Sequence, residues 1–135
     1  MIVVDTTVWI DFLNGAQTSE EKHLQELIHE ERSVALTDLI FCEILQGIRD
    51  DGEWTHIRTL LLHYPILRMD TLATFEQAAQ IYRKCRKRGL TIRKTIDCLI
   101  AAVCITHGLE LFHKDSDFDS IAHVTSLKVH HYVPR

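Results

Sequence analysis

Chain breakers are scarce in this sequence, with two prolines and five glycines among 135 residues. No proline- or glycine-rich linker, repeat or low-complexity segment divides the chain. It reads as one domain over residues 1–135, large enough for a real core and too small for two. No apolar run reaches the roughly 18 residues needed to span a bilayer. The N-terminus lacks the basic flank and long apolar stretch of a signal peptide, so a cytoplasmic protein without membrane association is expected. Cysteine is used without pattern: Cys42, Cys85, Cys98 and Cys104 include no CxxC pair, and reduced thiols acting as small hydrophobes are expected. The histidines form no zinc signature, and His130-His131 reads as a strand pair with at least one ring exposed.

Positive charge is in the minority, 15 Lys and Arg against 19 Asp and Glu. The total argues against a polyanionic partner, but the distribution argues for one. Arg83, Lys84, Arg86, Lys87, Arg88, Arg93 and Lys94 hold seven of the 15 basic residues, and no acid falls between Glu76 and Asp97. A local basic face matters more for phosphate binding than net charge does. Arg86, Lys87, Arg88, Arg93 and Lys94 are therefore candidate nucleic-acid contacts, weighed against the ordinary reading of a solvated helix face.

Short apolar or β-branched runs alternate with helical patterns. Strands are expected at Met1–Val4, Ser33–Leu36, Ile66–Met69, Glu110–His113 and Leu127–Val133. Helices are expected over Val8–Leu13, Glu20–Glu31, from the Thr37 cap to about Asp50, and over Trp54–Leu62 after a break at Gly52. Asp70 or Thr71 caps a long helix ending at Gly89, and Thr95 caps the next, which Gly108 ends. Such alternation implies an α/β fold: a central, largely parallel five-stranded sheet with right-handed crossovers and helices on both faces.

Against that frame four carboxylates stand out. Asp5 follows Ile2-Val3-Val4, Glu43 interrupts an apolar helix, Asp97 opens a helix among Ile96, Cys98 and Leu99, and Asp115 follows a strand. Burying one unpaired carboxylate costs several kcal/mol, so four converging at the carboxyl edge of a sheet call for a compensating cation. All-oxygen ligands select hard ions, Mg2+ or Mn2+. Asp5 and Asp97 also have a plainer reading as helix caps or dipole partners, and Asp115, Asp117 and Asp119 fall in a loop-like stretch where solvated acids are common. Trp9 and Phe12 read as core or interface residues.

The opening MIVVDTTVWI, from Met1 to Ile10, closely resembles that of PIN-domain ribonucleases, especially the toxins of VapBC toxin–antitoxin pairs. Glu43, Asp97 in DCLIAA and Asp115 in HKDSDF follow in the family's order, so the resemblance covers nearly the whole chain. It implies a single PIN-like domain that acts as a Mg2+-dependent endoribonuclease on a tRNA or rRNA loop. By this resemblance Asp5, Glu43, Asp97 and Asp115 are the catalytic, metal-binding acids, with Asp117 competing for the last place. Thr6 or Thr7 would orient Asp5 or a bound water, and the basic stretch would contact RNA. A cognate antitoxin and a homodimer are implied too. Two rival readings stand beside this one. The first is a receiver-like, Mg2+-binding phospho-signalling domain, which needs a phosphoacceptor at a strand end, with Asp50 or Asp51 nearest. The second is a PIN-like module that binds RNA without cutting; a DNA-directed nuclease of related fold stays open as well, because 2′-OH recognition leaves no local motif that separates RNA from DNA.

Overall fold

The computed structural model describes residues 1–69 and 71–134. Its sheet contains β1 (Ile2–Val4), β2 (Val34–Thr37), β3 (Ile66–Leu67), β4 (Glu110–Phe112) and β5 (Lys128–Val129) in the order β3-β2-β1-β4-β5. Every pairing is parallel, with Val3 opposite Ala35 on one side and Leu111 on the other. β1 and β2 are buried along their whole length, which explains why they read as continuous apolar runs rather than alternating ones.

Helices α1 (Thr6–Asn14), α2 (Ser19–His29), α3 (Asp38–Gln46) and α4 (Asp51–Leu61) follow β1 and β2. Helices α5 (Leu72–Lys87), α6 (Thr95–His107) and α7 (Ser116–Val124) follow β3 and β4. α1 packs on α2 and α3, while α5, α6 and α7 pack on one another, so the sheet is covered by two helical layers. Trp9 is fully buried, its ring edge-on to Tyr64 at 5.1 Å, which makes it a core residue. Phe112, Phe118, Leu36 and Ile100 fill the same interior. Among the described residues no helix is long and apolar enough to cross a membrane.

Several boundaries differ from the sequence expectation, each for a local reason. The break expected at Gly52 comes earlier: Gly47 caps α3, and α4 starts at Asp51 with Gly52 inside its first turn. Asp50 is the cap, accepting the Glu53 N–H at 2.8 Å. Asp50 and Asp51 therefore serve a helix N-terminus and do not end a strand, which removes the phosphoacceptor a receiver domain needs. Lys94, not Thr95, is the N-cap of α6. The loop expected around Asp115 to Asp119 is helix α7, with Asp115 as its cap. β5 is cut to two residues, although His130 extends the pairing by donating its N–H to the Leu111 carbonyl at 2.9 Å. Asp70 lies outside the described residues; Thr71 occupies the cap position of α5. All four cysteines are free thiols; Cys42 is exposed, and burial pushes the Cys104 thiol up to about 12.

Candidate active site at the carboxyl edge of the sheet

In an open parallel sheet, the crevice for a ligand forms beyond the carboxyl ends of the strands, where the chain order reverses. Here that point is β1, from which the sheet grows toward β2 and β3 on one side and β4 and β5 on the other. Asp5 is the first residue past β1, and its N–H donates to the carbonyl of Phe112, the last residue of β4, at 2.9 Å. The two strand ends are thereby locked together at the reversal.

Asp5 and Asp97 are each 4% exposed. Burial raises the Asp5 carboxyl from 3.8 to about 6, with Glu43 and Asp115 adding like charge against the stabilising N–H of Thr6 and hydroxyl of Thr7. Burial raises Asp97 further, to about 7, reinforced by the charges of Asp5, Asp115 and Glu43 and opposed by Lys94. Asp97 Oδ2 is buried and meets no hydrogen-bond donor among the described residues. A buried, unpartnered carboxylate oxygen among other carboxylates has the chemistry of an ion ligand.

The two threonines divide their work. Thr7 Oγ1 donates to Asp5 Oδ2 at 3.3 Å, and Thr6 Oγ1 donates to Glu43 Oε1 at 2.7 Å. Both hydroxyls belong to the first turn of α1, so one turn orients the acid just past β1 and an acid from α3. Glu43, half-buried, reaches the site from the second turn of α3.

Asp115 and Asp117 belong to the start of α7. Asp115 Oδ1 accepts the Asp117 N–H at 2.9 Å as the helix cap. Ligand oxygens of Asp97, Asp115 and Asp117 lie within 4.8 Å of one another, close enough to share one ion. Asp117 is 7% exposed, so both candidates for the last acidic position reach the cluster. Asp119 does not: it is exposed and faces His113 Nε2 at 3.4 Å. The acids of the sequence reading thus gather at one edge: Asp97, Asp115 and Asp117 form one cluster, and Asp5 and Glu43 lie near enough for their charge to raise Asp97.

Two features escaped the sequence reading. Arg93, expected as a nucleic-acid contact, turns its guanidinium onto the acids: Nε lies 3.1 Å from Asp117 Oδ2 and Nη2 lies 3.1 Å from Asp115 Oδ1. Its backbone N–H also donates to Asp117 at 3.2 Å. The other missed residue is His113, whose Nδ1 accepts the Asp115 N–H at 3.0 Å and so shapes the turn that presents Asp115. A lone histidine after a strand carries no such signal in sequence. Arg86, Lys87, Arg88 and Lys94 are exposed around the end of α5 and the start of α6, with Arg86 over the Tyr82 ring at 5.7 Å.

Comparison with known proteins agrees with the geometry. Residues 2–124 match the model of the PIN domain family. The chain is 38% identical over 129 residues to Ribonuclease VapC11 of Mycobacterium tuberculosis, covering 95% of this chain and 96% of that protein. It is 33% identical over 109 residues to Ribonuclease VapC51 of the same species, covering 81% of this chain and 79% of that one. The crystal structure of VapBC2 from Rickettsia felis, bound to a DNA fragment from its promoter, superposes with a TM-score of 0.76 at 16% identity, covering 98% of this chain and 100% of that one. With a parallel five-stranded sheet, an acidic edge and this extent of match, the chain belongs to the PIN domain family.

Proposed function

We propose that the protein is a Mg2+-dependent endoribonuclease that hydrolyses phosphodiester bonds in a tRNA or rRNA loop, as the toxin of a type II toxin–antitoxin pair. The observation that carries this reading is the buried, unpartnered Asp97 Oδ2 at the centre of a carboxylate cluster. Such an oxygen is costly in a binding module and useful in a site that loads a cation. The similarity to VapC ribonucleases supports RNA as the substrate.

In this reading Asp97, Asp115 and Asp117 hold the ion, and Asp5 and Glu43 complete the negative field; Mn2+ has the same ligand preference. When bound, Mg2+ supplies positive charge for the phosphate and lowers the pKa of water. The chain's own residues set the geometry. Thr7 holds Asp5 and Thr6 holds Glu43, so neither acid swings when the site changes charge. Glu43, half-buried at the rim, is the group we assign to take the proton of the attacking water. Arg86, Lys87, Arg88 and Lys94 contact RNA phosphates, and Arg93 bridges the acids and the incoming strand. The protein acts in the cytoplasm as a homodimer, and a cognate antitoxin restrains it; the VapBC2 structure supports such a partner.

The test is induced expression in a bacterial host, wild type beside Asp5→Asn, with RNA 5′ ends mapped in both. Growth arrest with new 5′-phosphate ends at one site, absent in the variant, is the expected outcome. Ends carrying 2′,3′-cyclic phosphate on the upstream fragment would contradict it, because that chemistry uses the ribose hydroxyl as nucleophile. Arrest that persists in a well-folded Asp5→Asn protein would move the toxicity from cutting to binding.

A further inference from the structure

The histidines show no metal-ligand spacing in sequence, yet two of them, 107 residues apart, meet in space. His23 on α2 and His130 just past β5 bring their Nε2 atoms to 2.9 Å. The ring planes lie within 19° of each other with centroids 5.1 Å apart, so the rings meet edge to edge. The other nitrogen of each ring faces a carboxylate. His130 Nδ1 is 2.8 Å from Glu110 Oε1, and His23 Nδ1 is 3.6 Å from Glu26 Oε2.

An ionised carboxylate accepts and never donates, so Glu110 places the His130 proton on Nδ1 and turns a lone pair toward His23. Glu26, at 3.6 Å and so beyond hydrogen-bond distance, favours the same tautomer in His23 by its charge alone, which would turn a second lone pair toward the first. Two lone pairs at this distance repel unless something positive stands between them. In the metal-free chain that is a proton on His23 Nε2, which leaves an unprotonated His23 Nδ1 facing the Glu26 carboxylate. A metal ion in the gap would relieve both conflicts together.

We propose that His23 and His130 form a second metal site, for a borderline transition ion of the zinc class, separate from the carboxylate cluster. Imidazole pairs prefer Zn2+, Ni2+ or Cu2+, whereas carboxylates and water suit Mg2+ and Mn2+. A carboxylate behind each ring is the usual support of a histidine ligand, fixing its tautomer and raising its basicity. The His23 ring is held further by Tyr132, which stacks on it at 4.2 Å and 8° while its hydroxyl bonds Ser19 and Glu20. Burial and the adjacent His130 hold the His23 pKa down, which keeps the ring neutral and able to ligate. Separate clefts border the two rings, one lined by Lys22, His23 and Glu26, the other by His130 and His131. Zinc–nitrogen bonds of 2.0–2.1 Å set the two nitrogens about 3.3 Å apart at a tetrahedral angle, so the ion enters when the nitrogens part by a few tenths of an ångström and each ring swings its lone pair roughly 35° off the line that joins them. The bound ion would clip α2 to the short edge strand β5. The proposal is independent of the activity at the acidic edge.

The test uses the full chain, stripped by a chelator and kept in excess Mg2+ to fill the carboxylates, titrated with Zn2+ by calorimetry near pH 7.5. One Zn2+ per chain with a raised melting temperature is expected. Binding is lost in His23→Gln and His130→Gln and weakened about 10–100-fold in Glu110→Gln. Absence of binding, or binding unchanged in folded histidine variants, overturns the proposal and leaves a shared proton in the gap. Where a variant fails to fold, nitrogen NMR of the wild-type rings decides. Zn2+-dependent shifts at His23 and His130 Nε2 support the site, and unmoved resonances overturn it.

Discussion

Asp97 is where the cost of this site is greatest. Its carboxyl is at about 7 in the folded chain against 3.8 for the free group, so between those values the native state holds a proton that the unfolded state has lost. The contribution of this group to the stability of the metal-free protein is therefore full below about pH 4 and is lost as pH rises through about 7. At 1.36 kcal/mol per pKa unit, the loss from this group alone is on the order of 4 kcal/mol as an upper figure. Asp97→Asn removes the ionisation. Its predicted signature is a double one: cleavage is abolished, while stability in chelator at pH 8 rises by about 2–4 kcal/mol over wild type by urea unfolding. Equal or lower stability of the variant at pH 8 would mean that Asp97 is held by contacts rather than strained. The sequence exposed Asp5, Glu43 and Asp97 because apolar neighbours made them conspicuous. It could not expose Arg93 as the partner of Asp115 and Asp117, because a basic residue in a basic run carries no mark of which way it turns. That arrangement makes a further prediction. Arg93→Gln leaves the acids without their guanidinium, so Mn2+ binds more tightly by calorimetry, while RNA binds less tightly and its salt slope falls by about 1.

At the scale of elements, the regular part of the fold was legible and the site's last helix was not. β1, β2, β4 and the long helices announced themselves by apolar runs and helical spacing, and Thr37 does cap α3, its hydroxyl accepting the Ile40 N–H at 3.1 Å. α7 was missed because its cap is Asp115 and its first turn holds Asp117 and Asp119, and a run of acids reads as solvated loop until the cap geometry shows them stabilising a helix N-terminus. The extra turn brings Asp117 to the cluster and turns Asp119 away. Thr95 misled for the opposite reason: a good capping residue loses its place when the chain before it is already held. Arg93 is pinned to Asp117 by its own N–H, and the helix begins one residue earlier than a Thr95 cap would give, at Thr95, with Lys94 in the cap position. α6 ends as expected at Gly108, whose φ of +64 lets its neighbour Leu109 donate to Cys104 at 3.0 Å and enter β4 directly. Gly108→Ala meets no side-chain clash but must hold that left-handed backbone, so a loss of about 1–2 kcal/mol is expected in thermal unfolding. A neutral result would show that the turn relaxes without cost to the α6–β4 junction.

For the whole molecule, the reversal of strand order at β1 gathers acids from the two helical layers at one edge, with exposed basic residues beside them. Like charge is thus concentrated at that edge, and under the proposed function stability is linked to the ion. A ligand present at 100 times its Kd and bound only by the native state adds about 2.7 kcal/mol. For a chain of this size that is about 8–15 °C in melting temperature. The gain must depend on pH. Near pH 8 Asp5 and Asp97 are ionised, and binding relieves their repulsion. Near pH 5 both carry protons that the ion must displace, since their folded values are about 6 and about 7. Scanning calorimetry of wild type with chelator or with saturating Mg2+ should therefore show a large separation of melting temperatures at pH 8 and a small one at pH 5. The chelated protein alone should melt lower at pH 8 than at pH 5. In Asp97→Asn the separation should collapse at both. A separation independent of pH would place the ion away from Asp5 and Asp97, and with it the chemistry assigned to this edge.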